Sequence, residues 1–302
     1  MPLDMSNQDS PDYGNRGIPA HLDYPIEFES SRLPDHKFII NGATGDVLGH
    51  AGTGYNPPAI GDFFVSVKEH IKKPLNRLSD TEQIGNSIRP EHLEGARCKF
   101  TSCYNNAWAM MDINFPNWKI IIETEKHQTE VTCRMCALTS VNASRSKTVI
   151  MGGKDTFCTN GLITENARIV KQKNTRGSSM STFVRELASV EAEFMNTADV
   201  LQQWARTPIV HVDVKAMLDK IIGSEQMSKK MYSLYSEESA VRGANVFALY
   251  SAFTNYASYQ DERNGFKLRN TGKDTIAKNM WDRESKDVMK WINTPTFKEL
   301  VA

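Results

Sequence analysis

The pattern of apolar and polar positions divides the chain into a β part followed by a helical part. From Arg97 to Cys158, short runs with period-2 alternation are separated by brief polar breaks; the runs are RCKFTSC, WAMMDINF, WKIIIETE, TEVTCRMCALTSV and KTVIM. Such alternation is typical of strands that bury one face. Because connections this short can join only neighbouring antiparallel strands, the region predicts a β-meander.

The helical part opens with an apolar stripe at spacings of three and four residues. Its members are Phe183, Leu187, Val190, Phe194, Ala198, Leu201 and Ala205. This period is that of an amphipathic helix. Further helices are predicted over 212–222, 226–234, 237–259 and 274–292, and one before the β part over 61–73. Strands first and helices after favour an α+β fold, with an antiparallel β-meander and long helices packed on one face.

The predicted domain organisation is simple. Residues 1–35 are rich in Pro, Asp, Ser and Asn and lack periodicity, so we expect a flexible N-terminal arm, docked in part by the segment YPIEF from Tyr24 to Phe28. Residues 36–302 are predicted to form a single domain that is β-rich over 97–158 and helical over 178–292. At its start, two apolar runs from Phe38 to Leu48 flank Asn-Gly and Gly-Asp turn residues, a pattern that predicts a β-hairpin.

Composition narrows the class of protein. The chain has 36 basic and 36 acidic side chains, so any nucleic-acid surface must be a local patch. No apolar run approaches the roughly 20 residues of a membrane span, and the first residues lack the apolar core of a signal peptide. Five cysteines, an odd and small number, favour reduced thiols. We therefore expect a cytoplasmic protein without membrane partners, in the host cell if the gene belongs to a phage.

Two groups of side chains suggest metal chemistry, and both have a simpler explanation. Cys133 and Cys136 form a C-x-x-C, but residues three apart on a strand point to opposite faces, so their thiols cannot share one ion. Asp112, Glu123 and Glu125 fall on adjacent predicted strands and could in principle hold Mg²⁺ as in a nuclease. Charged residues on the wet face of a half-exposed sheet account for them equally well. The sequence predicts neither a metal site nor a cofactor.

Two basic clusters carry the main functional hypothesis. The segment between the β part and the long helix has no acidic residue from Asn166 to Arg185, and it contains Arg168, Lys171, Lys173 and Arg176. Side chains of this kind reach phosphates, and a following helix N-terminus favours anions. The second cluster surrounds the aromatic ring of Phe266 with Arg263, Lys267, Arg269 and Lys273. Basic groups interleaved with an aromatic ring suit single-stranded nucleic acid, whose bases stack.

Three motifs in order resemble a known family. They are ATGDVLGHAGTGYNPP with Leu48-Gly49, Gly52, Tyr55 and Pro57, then FCTNGLITENARIVKQKNT with Cys158 and Asn160, and VFALYSAFTNYASYQDERN near the end. Over about 37–300 the chain resembles the phage- and plasmid-related proteins of unknown function. It departs from them where Ser251-Ala252 replaces an expected Asn-Ala. The resemblance implies a mobile-element protein that acts near DNA replication or recombination, and the layout is similar to Rad52-like single-strand annealing proteins.

Three hypotheses follow. The favoured one is a non-enzymatic phage- or plasmid-type protein that binds single-stranded DNA, as an annealing or recombination factor that forms homo-oligomers. The second is a protein-interaction or regulatory module whose basic loops are merely solvated. The third is a Mg²⁺-dependent nuclease built on Asp112, Glu123 and Glu125.

Overall fold

The computed structural model describes residues 16–72, 90–156, 161–162, 169–175, 179, 193–263 and 281–301. Helices and antiparallel sheets both contribute to them, which confirms the predicted α+β class. Their strands form a three-stranded and a six-stranded sheet. No helix in these ranges is long and apolar enough to cross a membrane.

The three-stranded sheet lies at the N-terminal end. Its strands are β1 (Ile26–Ser30), β2 (His36–Asn41) and β3 (Val47–Gly52), each antiparallel to the next. The predicted hairpin is confirmed as the β2–β3 pair. Its turn depends on Asn41, whose side chain accepts the backbone N–H of Ala43, and on Gly45, whose φ of 77° is left-handed and favours glycine.

The predicted flexible arm differs from the structure over its second half. From residue 16 onward the chain is packed: the side chains of Ile18 and Leu22 are fully buried, and β1 pairs along its length with β2. Arg16 contacts Asp23 and Asp62. Ile18 and Leu22 are isolated apolar residues without periodicity, which is why their burial was not predicted. Residues 1–15 lie outside the described part.

The six-stranded sheet confirms the predicted meander. Its strands are β4 (Arg97–Cys103), β5 (Trp108–Glu123), β6 (Gln128–Ser140), β7 (Lys147–Asp155), β8 (Gly161–Leu162) and β9 (Ile169–Gln172). Strands β4 to β7 pair in sequence order, all antiparallel, and both β8 and β9 pair with the far edge of β7. The edge strands of this sheet are therefore β4 on one side and β8 with β9 on the other.

Strand β5 merges two strands that the sequence predicts separately. The break at Pro116 and Asn117 is instead a bulge, where the pairing with β6 shifts register between Phe115 and Lys119. A bulge accommodates the proline because the ladder is locally interrupted there. The strand continues beyond it to Glu123.

The two faces of the large sheet bury different side chains. On the inner face, Met111, Cys133 and Met135 belong to one buried cluster with Phe63 and Phe64. Those two phenylalanines lie on α1 (Ile60–Lys72), the predicted 61–73 helix. The opposite, outer face buries Trp108, Met110, Cys136, Leu138 and Ile150 together with Trp281. Cys133 and Cys136 thus lie on opposite faces, as predicted.

The remaining helices form a second core. After the short α2 (Pro90–Leu93) they are α3 (Glu193–Arg206), α4 (Val214–Ile222), α5 (Glu225–Arg242), α6 (Val246–Arg263), a π-helical turn (Arg283–Val288), α7 (Met289–Ile292) and α8 (Pro295–Lys298). Their buried side chains pack against Ile122 and Val131 at one end of the large sheet. On α3, Phe194 and Leu201 of the predicted stripe are buried; its positions before 193 lie outside the described residues.

One helix boundary corrects the sequence prediction. A single helix over 237–259 was expected, but α5 ends and α6 begins within that range. Gly243 has a left-handed φ of 86°. Asn245 then caps the new helix, since its side chain accepts the backbone N–H of Ala248. The apolar residues on both sides of this break had concealed it.

A buried ionic group joins the helices to the sheet. The guanidinium of Arg242 on α5 donates to Asp155 Oδ2 at 2.6 Å and to Glu238 Oε2 at 2.9 Å, and all three side chains are almost completely buried. Thr129 donates to the other oxygen of Asp155, and Asn255 to that of Glu238. The junction between sheet and helices is therefore held by directional contacts.

Candidate nucleic-acid interface

The first predicted basic cluster is only partly described. Lys171 lies in β9, so this part of the connector is an edge strand and not the loop that was expected. Lys173 follows the strand, and both lysine side chains are exposed. Arg168 and Arg176 lie outside the described residues.

The stretch after β9 is fixed by a buried asparagine. Asn174 is 2% exposed, and its side-chain N–H groups donate to the Ser140 carbonyl at 3.1 Å and to Tyr55 Oη at 3.3 Å. The backbone carbonyl of Asn174 accepts the backbone N–H of Asn56. Burial raises the pKa of Tyr55, which keeps the phenol neutral as a hydrogen-bonding group. This anchor holds Lys173 at the surface beside the sheet.

The second predicted cluster cannot be assessed from the structure. Arg263 is the last residue of α6, and nothing further is described of its side chain. Phe266, Lys267, Arg269 and Lys273 lie outside the described residues. The prediction for these five residues stays a prediction.

The acidic trio is not brought together. Asp112 and Glu123 lie on the same strand, β5, eleven positions apart, and not on adjacent strands as expected. At about 3.3 Å per residue they are roughly 35 Å apart, too far to share a metal ion. Glu125 follows the strand and lies against Gly243. In the described part of the chain, no three His, Cys, Asp or Glu side chains are grouped so that they could hold a metal ion.

The structure instead brings cationic side chains together on the outer face of the large sheet. Strand β4 contributes Arg97 and Lys99, β6 contributes Arg134, β7 contributes Lys154, and β9 contributes Lys171. We call these five residues the basic face. Arg97, Lys99 and Lys171 are exposed, Lys154 is half-buried and Arg134 is buried.

Strand register places these residues on one face. Lys99 pairs with Asp112, which pairs with Cys136, and the same row of paired residues ends at Ile169 in β9. Cys136 packs in the outer-face cluster and Ile169 packs against it. Lys171, two residues after Ile169, points to the same side. With about 4.8 Å between strands, the row spans roughly 19 Å across the sheet.

Arg134 is the one member of the basic face that is neutralised internally. Its guanidinium donates to both oxygens of Asp112, at 2.9 and 2.8 Å, and to Glu284 at 3.0 Å. Burial alone would raise the pKa of Asp112, but the adjacent guanidinium outweighs burial and holds that pKa below its ordinary value. Burial raises the pKa of the neighbouring Cys136 thiol, so this cysteine stays protonated and unreactive.

The other four members form no ion pair of this kind, although the charge of Lys154 helps to lower the pKa of Asp112. Among the described residues, no acidic group lies within ion-pairing distance of Arg97, Lys99, Lys154 or Lys171. At the far end of the same face, Glu130 is already paired with Lys119 at 2.7 Å. The outer face therefore carries a local positive charge although the whole chain is neutral.

Sequence reasoning missed most of this surface. Arg97 and Lys99 alternate with Cys98 in the first predicted strand, and that alternation was the available signal. The relation to Lys154 and Lys171, more than fifty residues later, depends on strand register. Register was not predictable from the pattern alone.

Comparisons with protein-family models, with curated proteins and with solved structures find no match to this chain. The function of this protein has therefore to be inferred from the geometry and charge of the site.

Proposed function

We propose that this protein binds single-stranded nucleic acid, without catalysing a reaction, at the cations that flank the part of the outer face covered by Trp281 and Glu284. The observation that carries the proposal is a set of four cations without an ion pair in the described residues. Arg97 and Lys99 lie on β4, Lys154 on β7 and Lys171 on β9, all on one face of the sheet. Phosphates are the ligands that such a surface attracts most strongly, because each contact releases condensed counterions.

A single strand fits this surface better than a duplex. The cations are spread over roughly 19 Å of a sheet, on side chains that reach a flexible backbone at several points. Sequence-specific reading of a duplex requires an element that enters the major groove. The residues of the basic face instead lie on strands of a sheet, which offer no such element. The contacts should be made to phosphates, with little preference among base sequences.

The predicted basic connector extends the same surface. Lys171 belongs to the basic face and Lys173 is exposed directly beyond it, so Arg168 and Arg176 are further candidates to contact the strand. The resemblance to phage- and plasmid-related proteins supports a setting in DNA replication or recombination. An annealing role, with the protein as a homo-oligomer, is the form of the proposal that the similarity of layout to Rad52-like annealing proteins favours.

A binding comparison tests the proposal. A mixed-sequence single-stranded oligonucleotide is titrated with the parent protein and with a variant that carries Arg97→Gln, Lys99→Gln, Lys154→Gln and Lys171→Gln. The matched control removes one arginine and three lysines elsewhere, with Arg206→Gln, Lys126→Gln, Lys220→Gln and Lys229→Gln. We expect the basic-face variant alone to lose affinity at low salt. Equal affinity of the two variants would refute the proposal.

A protein-interaction module is the second candidate, because the three-stranded sheet exposes an acidic and aromatic surface. The rings of His36 and His50 stack with centroids 5.0 Å apart, and Phe38 lies 5.1 Å from His50. Glu29 is paired with Phe38 and is exposed. Aromatic side chains framed by charge are common in protein interfaces. If the parent protein binds no oligonucleotide, this surface becomes the leading candidate site.

A further inference from the structure

The turn between β4 and β5 exposes an aromatic ring just beyond the end of β4, the strand that carries Arg97 and Lys99. Tyr104 follows directly on Cys103, the last residue of β4, and its side chain is 44% exposed. Among the described residues its ring has no hydrogen bond and no ring partner. A large, exposed and uncommitted aromatic side chain is available to a ligand.

This turn has an unusual backbone. Tyr104, Asn105 and Asn106 all have left-handed φ angles, of 54°, 51° and 63°. Asparagine tolerates this conformation, whereas tyrosine rarely adopts it, because its Cβ crowds the backbone. The sequence therefore keeps a bulky aromatic residue where a small or polar residue would be less strained. Such outliers concentrate at functional sites.

Surrounding contacts hold the turn in this conformation. The carbonyl of Asn106 accepts from Tyr24 Oη at 2.8 Å, and its side chain accepts from Ser102 Oγ at 2.7 Å. The N–H of Ala107 donates to the Tyr104 carbonyl at 2.9 Å. Because these contacts come from the backbone and from the neighbours of Tyr104, its ring is not needed to maintain them.

We infer that Tyr104 is the residue on which a nucleobase stacks when a single strand runs along β4. This inference depends on the proposed function, and it adds the nucleobase to the phosphate as a chemical group that the protein recognises. Lys99 lies in β4 five residues before Tyr104, about 17 Å away along an extended backbone, and Arg97 lies about 7 Å further. Phosphates held at these two cations leave the following bases within reach of the ring. Stacking on tyrosine tolerates every base, since each has a π face.

The test uses Tyr104→Asn, which removes the ring but keeps a residue that tolerates the left-handed conformation. Tyr104→Phe retains the stacking surface without the hydroxyl. Tyr232→Asn is the matched control, because Tyr232 is 42% exposed on α5, away from the basic face. Each protein is titrated with a single-stranded oligonucleotide and with an abasic oligonucleotide of the same length and charge.

We expect Tyr104→Asn to weaken binding of the normal oligonucleotide about 5- to 100-fold, as for the loss of one stacked base. Tyr104→Phe and Tyr232→Asn should bind like the parent. On the abasic strand, Tyr104→Asn and the parent should bind equally, because no base is present to stack. Equal binding of the normal strand by Tyr104→Asn and the parent would overturn the inference. So would an equal loss on both strands, since that shows a structural effect.

Failure of the proposed function can be distinguished from failure of the stacking role alone. If the parent binds neither oligonucleotide, the proposed function fails, and the stacking role fails with it. If the parent binds both in a salt-dependent way but Tyr104→Asn behaves like the parent, only the stacking role fails.

Discussion

Replacing Arg242 by methionine should be among the most destabilising single changes in this chain. The change removes two charge-assisted hydrogen bonds, to Asp155 at 2.6 Å and to Glu238 at 2.9 Å. It also removes the stacking of the guanidinium over Phe247, at 5.0 Å. Each charge-assisted bond contributes about 1.5–3 kcal/mol, and losing one partner of a buried ion pair costs about 3–5 kcal/mol. We therefore expect Arg242→Met to lower the free energy of unfolding by about 4 kcal/mol.

Urea unfolding followed by far-ultraviolet circular dichroism measures this loss. With a slope of about 3 kcal/mol per molar urea, the midpoint should fall by about 1.3 M. Arg206→Met is the matched control, because Arg206 is exposed in the last turn of α3 and should cost less than about 1 kcal/mol.

A double-mutant cycle identifies the cause. Asp155→Asn alone should also destabilise, because it leaves Arg242 with only one carboxylate. Combined with Arg242→Met it should cost less than the sum of the two single changes, since the pair is already broken. A loss below about 1 kcal/mol for Arg242→Met, or strict additivity in the cycle, would refute the account of the junction.

Three further predictions concern the sheet and the side chains packed against it. In urea titrations, Phe194→Ala should lower the free energy of unfolding by about 3–5 kcal/mol, because the ring is 1% exposed. Ile121→Ala, at an exposed site, should change this free energy little, and equal effects of the two changes would contradict the packing. Asp112 has a lowered pKa, so its contribution to stability is present above the unfolded value of 3.8 and is lost as pH falls through the folded pKa. In thermal melts, Asp112→Asn should therefore be less stable than the parent near neutral pH, and this difference in stability should close below about pH 4. A difference that does not depend on pH would contradict the ion pair. Because Cys133 and Cys136 lie on opposite faces, elemental analysis of the dialysed protein should find no stoichiometric zinc, and one retained equivalent would contradict that geometry.

The sequence was sufficient for features that depend on local pattern. Period-2 alternation and short breaks predicted the meander, and the placement of Cys133 and Cys136 on opposite faces follows from the same period. The β2–β3 hairpin was predictable because its turn residues have local conformational preferences.

Features that depend on distant parts of the chain were not predictable. Pro116 indicated a strand boundary, but pairing with β6 continues β5 through a bulge, so Asp112 and Glu123 are far apart on one strand. The sequence around Gly243 is compatible with one long helix, but the left-handed φ of this glycine divides the range into two helices. The basic face combines residues separated by more than seventy positions, from Arg97 to Lys171, and only the register of four strand pairs makes them neighbours.

The salt dependence of oligonucleotide binding tests the central claim most directly. For the parent protein, the logarithm of the affinity should fall linearly with the logarithm of salt concentration, by about 0.7 for each phosphate neutralised on a single strand. If Arg97, Lys99, Lys154 and Lys171 each contact one phosphate, changing all four to glutamine should flatten that slope by roughly three. The matched variant at Arg206, Lys126, Lys220 and Lys229 should keep the parent slope. A slope that is the same for all three proteins would show that the outer face of the sheet does not hold the phosphate backbone.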